Sequence, residues 1–295
     1  MITSSDFELD QSYFSQRQDT TGCFDEIPTL PGHGEPGLGC GTPIPYHCSD
    51  CNTDFWVDSS CMSRECPNCM EKWASNEARF ASWRTWTGSK RRCHDKMWAW
   101  RDCRVLHGLI SIPDVGQGIE ASRKQAIRVA KKHHLDGGLM VYHPFRQEES
   151  SAFMQDGFVH YHIVALAHGD VLPGGTDDGI IFKVIKDAEF QDYRGFVGPL
   201  GIRRVVHYLM SHCGILEGRH ALTWWGSLSY NMLSNGFLKE SYPEAWKAVN
   251  ERPNPRCPSC GSRNTEPVNT PQDIGWGSER PIHHSPFASP PWKSP

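Results

Sequence analysis

The sequence has no long apolar run, and its amino terminus has no basic stretch followed by an apolar one. The first absence excludes a membrane-spanning helix, and the second argues against secretion or a lipid anchor. Apolar residues make up 38% of the chain and charged residues 22%, which is typical of a soluble globular protein. We therefore expect an intracellular, cytoplasmic protein with no membrane partner.

The sequence also lacks an excess of positive charge, since its formal net charge is −4. This argues against a protein that coats nucleic acid through bulk electrostatics. Three local segments are nevertheless basic: SKRRCHDK (89–96), SRKQAIRVAKKHH (122–134) and GIRRVVHY (201–208). Taken singly, each is more simply interpreted as the solvated face of a helix.

Internal repeats are absent as well, and changes in composition divide the chain into four segments. Most of the 21 prolines lie in the flanks, which show little apolar periodicity. We assign 1–39 to a flexible segment, 40–100 to a zinc-binding module with a helix, 101–240 to the main domain, and 241–295 to half of a zinc knuckle with a Pro-rich tail.

Hydrophobic periodicity predicts alternating helices and strands between the flanks. Helical spacing of apolar residues occurs in 68–86, from about 118 to 135, and in 202–214. Strand-like runs are VLHGLISIP (105–113), GLMVYHPF (138–145), FVHYHIVALA (158–167) and IIFKVI (180–185). This order predicts an α+β fold in which an antiparallel sheet has helices packed on one side, with small zinc-binding modules beside it.

Twelve cysteines in an intracellular chain point to metal binding rather than disulfides. Cys48-x-x-Cys51 and Cys66-x-x-Cys69 have the spacing of two knuckles around one structural Zn²⁺. Other cysteines are alternative ligands within this set, namely Cys40 and Cys61. No C-x-x-C lies at the strand-to-helix turn of a thioredoxin-like unit, which argues against a redox enzyme.

Cys257-x-x-Cys260 forms half of a second zinc site. The sequence leaves its remaining ligands open: they come from His283 and His284, from Cys23, Cys40 or Cys61, or from another chain.

FVHYHIVALA places two histidines one residue apart in an apolar run. The two-residue period of a strand puts His160 and His162 on one face, where two imidazoles can bind one metal ion. The preceding strand would pair antiparallel with this one and bring His143 close as a third ligand. Two core histidines bonded to backbone carbonyls would give the same pattern, so that alternative stays open.

Tyr208 lies on the predicted helix IRRVVHYLMSHCG. Arg204 lies one turn before it and His212 one turn after it, so these three side chains share one flank of the helix. The alternative is that Tyr208 packs at the edge of the apolar stripe.

The HYH motif in a strand, followed by a tyrosine in a helix, resembles the HUH endonucleases, named after two histidines flanking a hydrophobic residue. The motifs LHGLISIP, GGLMVYHPFR, HYHIVALAHG, YLMSHCG and WWGSLSYN follow a cysteine cluster, in an order that resembles the rolling-circle replication initiators (Rep proteins) of archaeal plasmids and small viruses. The resemblance covers residues 45–262. It implies an HUH/RRM-like palm in 101–240, with a metal site on the sheet.

The resemblance implies nicking and rejoining of single-stranded origin DNA through a covalent 5′-phosphotyrosine, with Mg²⁺ or Mn²⁺ as catalytic metal and Zn²⁺ as structural metal. Tyr208 would be the nucleophile, with Arg204 beside it, and His160, His162 and His143 the metal ligands. Many single-tyrosine members carry a lysine three residues after the nucleophile, where this chain has Ser211. Two other tyrosines, Tyr230 and Tyr193, therefore remain alternatives.

The expected partners are single-stranded origin DNA and a host helicase and polymerase, in the host cell if the chain is viral. A transposase or conjugative relaxase would share this chemistry, and a non-catalytic zinc-ribbon DNA-binding regulator is the alternative from another class. Val164 occupies the position of a third alternating histidine, which argues against a histidine-triad hydrolase. A metallo-β-lactamase-like site is disfavoured because the Asp-His it needs is absent.

Overall fold

The computed structural model describes residues 28–97, 103–113, 118–148, 151–154, 158–168, 176–177, 179–186, 199–250 and 254–268. The chain divides into two compact units, a larger one of Met1–Cys40 with Ser60–Arg252 and a smaller one of Gly41–Ser59 with Pro253–Pro295. Residues 41–59, which the sequence places in a 40–100 module, thus belong to the unit that contains the carboxyl-terminal Cys-x-x-Cys.

The fold is α+β with antiparallel sheets, which confirms the predicted class at this level. In chain order the elements are β1 (Pro43–Cys48), β2 (Thr53–Asp58), α1 (Met70–Asp95), β3 (Cys103–Pro113), α2 (Gly118–Lys132), β4 (Leu135–Tyr142), β5 (Phe145–Glu148), β6 (Ser151–Met154), β7 (Phe158–His168), β8 (Thr176–Asp177), β9 (Ile180–Lys186), α3 (Pro199–Ser211), β10 (Leu222–Gly226), α4 (Asn235–Ser241), α5 (Pro243–Asn250) and β11 (Thr265–Pro267).

Six strands of the larger unit form one sheet in the order β10-β4-β7-β3-β9-β8. In its interior, β7 pairs with β4 and β3, and Ile163, Val164, Ala165 and Leu166 are completely buried. Consecutive residues of a strand point to opposite faces, so β7 is covered on both faces. This explains why its sequence is nearly continuously apolar instead of alternating.

α2 covers one face of the sheet. Its small residues Ala126 and Ala130 share a hydrophobic core with Tyr161 and Ile163 of β7, and the Ser122 hydroxyl lies 2.8 Å from the Tyr161 hydroxyl. The alanines let the helix backbone approach the sheet closely.

α1 covers the opposite face. The guanidinium of Arg84 lies 4.9 Å from the ring centroid of Trp224 on β10, and Trp224 pairs with Leu139, which pairs with Val164. Directly paired residues point to the same face of a sheet, so α1 lies on the face of Val164 and the histidines. The prediction of helices on one side only is wrong, because a central strand buried on both faces needs cover on both.

The smaller unit is a three-stranded antiparallel sheet in the order β11-β1-β2. The rings of Tyr46 and Phe55 stack across β1 and β2 with centroids 5.9 Å apart. Its buried residues, within the part that the structure describes, are Cys48, Cys257 and Thr265. A sheet with so little apolar interior depends on its cysteines for stability.

Across the described ranges, no helix has both the length and the apolar character that a bilayer crossing requires.

Candidate metal centres and the histidine cluster

Four cysteines of the larger unit, Cys40, Cys61, Cys66 and Cys69, form a first cluster, with all their Sγ atoms within 4.8 Å of one another. The Sγ of Cys40 lies 3.2 Å from that of Cys69 and 3.6 Å from that of Cys66. A tetrahedral Zn²⁺ with bonds of about 2.3 Å would hold its sulfurs about 3.8 Å apart. The four thiols therefore fit a structural zinc ion.

Four cysteines of the smaller unit, Cys48, Cys51, Cys257 and Cys260, form a second cluster that meets the same 4.8 Å condition. Cys48 and Cys260 approach to 3.6 Å between sulfurs, and Cys51 and Cys257 to 3.5 Å. Cys48 faces Thr265 across β1 and β11, so sheet pairing brings the two knuckles together. This cluster also fits zinc.

The predicted single site of Cys48, Cys51, Cys66 and Cys69 is wrong in its grouping. Each knuckle exists, but the two belong to different clusters. Cys40 and Cys61, the alternative ligands, complete the first site, while Cys48 and Cys51 complete the half-site of Cys257 and Cys260. The other suggested ligands of that half-site, His283, His284 and Cys23, lie outside the described residues.

In each cluster the pKa of one thiol is lowered towards the thiolate form that zinc requires, while the pKa of a neighbouring thiol, Cys40 or Cys260, is raised to about 12. Burial would raise the pKa of Cys69, but hydrogen bonds from Ser60 and Cys40 help lower it to about 6. Desolvation likewise would raise the pKa of Cys257, and the backbone N–H groups of Cys260 and Ser259 help lower it to about 6. Cys93 lies outside both clusters and forms a disulfide bond, so the expectation that the cysteines of this chain form no disulfides is wrong at this residue.

The two histidines of β7 lie on one face of the large sheet, and each contacts a polar residue of β3. His160 pairs with Ser111, and its Nδ1 lies 2.8 Å from the Ser111 hydroxyl. His162 Nδ1 lies 2.9 Å from Nε2 of His107, two residues before its pairing partner Leu109. His107 and Ser111 therefore orient the two imidazoles.

His143 follows the last residue of β4 and lies beside the same pair. Its backbone N–H donates to the carbonyl oxygen of His160 over 2.9 Å, and its ring centroid lies 5.0 Å from that of His162. The structure thus brings together all three predicted ligands. Within the described ranges, however, only the two cysteine clusters place three or more ligand atoms within 4.8 Å of one another, so closure on a metal requires movement of the imidazoles.

The surroundings keep His162 neutral. Burial lowers its pKa to about 2, and the neighbouring imidazoles of His143, His107 and His160 act in the same direction. Neutral imidazole is the form that binds metals, so the donor chemistry of this group fits a metal ion.

α3 presents Tyr208 with half of its surface exposed, and Arg204 one turn earlier is also exposed. His212, just beyond the helix, has its ring centroid 5.0 Å from that of Tyr208 and 6.3 Å from that of His143. The rings of His143, His212 and Tyr208 therefore form a continuous series from the end of β4 to α3. We call His107, His143, His160, His162 and His212 the histidine cluster.

A glycine fixes the end of α3 against β4. The Gly214 N–H donates to the Tyr142 carbonyl oxygen over 2.9 Å, and a Cβ at this position would approach Pro144 Cδ to 2.7 Å. Only glycine permits this approach, which holds His212 near His143.

The other candidate tyrosines have different positions. The Tyr230 ring lies 4.5 Å from the guanidinium of Arg84, and this buried arginine also donates to the carbonyl oxygens of Leu228 and Leu233. Tyr230 is thus part of a structural network around α1. Tyr193 lies outside the described residues.

Sequence reasoning missed His107 and Ser111 as members of the site. The available signal was their position in LHGLISIP, a predicted strand, where their separation of four residues, an even number, puts both on one face. Without the register between β3 and β7, that face was not known to be the one with His160 and His162.

No protein-family model, curated protein or solved structure matches this chain.

Proposed function

We propose that this protein is a rolling-circle replication initiator of the HUH endonuclease type, which nicks and rejoins single-stranded origin DNA through a covalent phosphotyrosine. One observation carries the proposal: the series of neighbouring rings that runs from His162 on β7 through His143, just after β4, and His212, just after α3, to Tyr208 on α3. It sets an exposed tyrosine beside imidazoles able to bind a metal. The six-stranded antiparallel sheet supports an HUH/RRM-like palm.

His143, His160 and His162 would hold the catalytic metal. The bound ion would polarise the scissile phosphate and offset the charge that develops on it. An all-imidazole donor set fits Mn²⁺ better than Mg²⁺, which prefers oxygen ligands.

The residues of β3 would select the tautomers that bind metal. If Nδ1–H of His162 donates to Nε2 of His107, the Nε2 of His162 keeps a lone pair for the ion. The same holds for His160, whose Nδ1–H would donate to Ser111. This orienting role is the usual one for groups that contact metal-bound histidines from behind.

Tyr208 would attack the phosphorus. A bond forms between its phenolic oxygen and phosphorus, the bond from phosphorus to the 3′ oxygen breaks, and the released 3′-hydroxyl serves as a primer for host polymerase behind a host helicase. Rejoining is the reverse attack by a 3′-hydroxyl. Arg204, exposed one turn before Tyr208, would contact a phosphate next to the scissile one.

His212 would take the phenolic proton. Its Nδ1 lies 3.0 Å from the Tyr208 carbonyl oxygen, to which it donates when Nδ1 carries the ring proton. Nε2 then has the free lone pair. Ser211, where the related enzymes often have a lysine, lies 2.8 Å from the same Nδ1 and helps hold the ring.

A non-catalytic zinc-ribbon DNA-binding regulator remains a second candidate, because the two four-cysteine clusters would suffice for that role. A transposase or relaxase would share the histidine cluster and differ only in how the joined DNA is used.

The test uses labelled single-stranded oligonucleotides that tile the DNA around the coding gene, incubated with the full chain and Mn²⁺. We expect a cleaved product and a DNA-linked protein with the wild type and with Tyr230→Phe, and neither with Tyr208→Phe. DNA binding without any cleavage by the wild type would favour the regulator and contradict the enzyme.

A further inference from the structure

The outer side of α2 carries a row of cationic side chains. Ser122, Ala126 and Ala130 face inward and are buried. The exposed side chains on the other side include four cations, Lys124, Arg128, Lys131 and Lys132, together with Glu120 and Ala121, and we call the four cations the α2 basic row. Spacings of four, seven and eight residues keep them on one side of a helix, over about 12 Å of its length.

Local composition makes this row strongly positive. α2 contains five lysines and arginines and one acidic residue, Glu120, which forms an ion pair with Arg123. The whole chain has a formal net charge of −4, so the row does not follow from a generally basic composition.

A stabilising effect on the helix explains only some of the four cations in the row. Lys131 and Lys132 lie in the last turn, where positive charge favours the helix dipole. Lys124 and Arg128 lie in the middle of the helix, where that effect is small. A membrane-surface helix is also excluded, because Ile119, Ile127 and Val129 pack against the hydrophobic core and leave no apolar side beside the cations.

α2 lies on the face of the sheet opposite the histidine cluster. The Ser122 hydroxyl contacts Tyr161, whose side chain points away from those of His160 and His162 on the same strand. Nucleic acid on the α2 basic row is therefore a different segment from the one at Tyr208. Arg123, Arg219 and His220 line one cleft beside the same helix, where Glu120 forms ion pairs with both arginines.

We infer that the α2 basic row binds the phosphate backbone of duplex DNA next to the single-stranded segment that is cut. The inference rests on the proposed function only for the existence of that single-stranded segment. A duplex carries one negative charge per about 1.7 Å of its axis, so a rigid row about 12 Å long faces several phosphates at fixed positions. This binding is independent of sequence and releases counterions.

The test compares the wild type with the variant K124Q/R128Q/K131Q/K132Q by fluorescence anisotropy. The probes are a duplex of mixed sequence and a short single strand, each titrated at several NaCl concentrations without divalent metal. The control K72Q/K239Q/K247Q removes three cations from exposed positions on α1, α4 and α5. A charge-conserving variant, K124R/R128K/K131R/K132R, controls for the packing of α2.

We expect the glutamine variant to lose at least tenfold in duplex affinity at low salt. The magnitude of the slope of log affinity against log salt should fall by about 3.6, since each of the four lost phosphate contacts lowers it by about 0.9. The two other variants should match the wild type, and single-strand binding should change less than duplex binding. Because the assay needs neither metal nor cleavage, this result stands whether or not Tyr208 forms an adduct.

Unchanged duplex binding by the glutamine variant would overturn the inference. So would an equal loss in the lysine control, which would indicate bulk charge alone. If the glutamine variant kept its duplex affinity but lost binding of a polyglutamate peptide, the row would be assigned to an acidic protein partner. That result would overturn the inference as well.

Discussion

Hydrogen bonds at single residues decide which imidazole nitrogens can bind a metal. His107 and Ser111 each contact the Nδ1 of a β7 histidine, so Nε2 is available to an ion when Nδ1 carries the proton. Motif reading finds His160 and His162, because the pattern lies within one strand. It does not find His107 and Ser111, because their position beside the two histidines depends on the register of β3 against β7.

His160→Ala and His162→Ala should each abolish nicking and leave the fold and DNA binding intact, since they remove ligands and little apolar volume. His143→Ala should raise the Mn²⁺ concentration needed for half-maximal nicking. Unfolding of either β7 variant in a thermal melt would instead favour ordinary core histidines.

His107→Ala should leave the ligands in place but free the His162 ring to rotate. We expect the Mn²⁺ concentration for half-maximal nicking to rise about 10- to 100-fold. Metal titration of the nicking rate measures this, and His107→Gln should recover part of the loss. An unchanged Mn²⁺ requirement would exclude an orienting role.

Glu77 gives the stability a defined pH dependence. Burial raises the pKa of its carboxyl to about 7, although Arg64 acts in the opposite direction. The folded protein therefore binds this proton more tightly than the unfolded chain, so the protonated carboxyl favours folding at low pH and the advantage is lost as the pH rises from 4.5 to 7.

Glu77→Gln should accordingly be more stable than the wild type at pH 8, by an amount on the order of 3 kcal/mol. The difference should shrink towards pH 5.5, and denaturant unfolding at several pH values measures it. A difference that does not depend on pH would show that the carboxyl does not titrate in this range.

At the scale of the elements, strong periodicity predicted β3, β4, β7, β9 and α1 to α3. β10 was missed because LTWWG is short and does not alternate, and β1 and β2 were missed because prolines and charged residues interrupt their apolar pattern. The cover on both sheet faces was missed too, although the continuous apolar run of β7 indicated it. Periodicity within one segment gives no information on which faces of a sheet are covered.

Gly214→Ala should separate the end of α3 from β4, since the new Cβ would clash with Pro144 and Tyr142. We expect a loss of about 1–3 kcal/mol in stability and a larger fall in nicking, because Tyr208 and His212 would shift away from His143. Gly236→Ala is the control, since its Cβ would meet only the Ser234 hydroxyl at 3.8 Å. Normal nicking by Gly214→Ala would show that this contact does not position the nucleophile.

At the scale of the whole molecule, the grouping of the cysteines was beyond sequence reasoning. Cys48 and Cys260 are separated by 212 residues, and Cys51 and Cys257 by 206. A Cys-x-x-Cys knuckle is a local feature, but its partner depends on strand pairing between distant segments. The two Cys-x-x-Cys knuckles that are nearest in sequence, Cys48/Cys51 and Cys66/Cys69, were therefore assigned to one zinc site.

The chain should bind two zinc ions. Cys66→Ser and Cys257→Ser should each lower the bound zinc from two ions to one and reduce thermal stability, because each breaks a different tetrahedral site. Zinc content by elemental analysis is the measurement, with Cys213→Ala as the control for a buried thiol outside both clusters. Complete loss of zinc in one single variant would contradict two independent sites.

The most direct test of the central claim is peptide mapping of the covalent protein–DNA adduct. After incubation with single-stranded DNA and Mn²⁺, nuclease trimming and proteolysis, mass spectrometry should find a 5′-nucleotide remnant on the peptide that contains Tyr208 and none in Tyr208→Phe. A remnant on Tyr230 or Tyr193 would contradict the assignment of the nucleophile, and cleavage without any adduct would contradict the tyrosine mechanism itself.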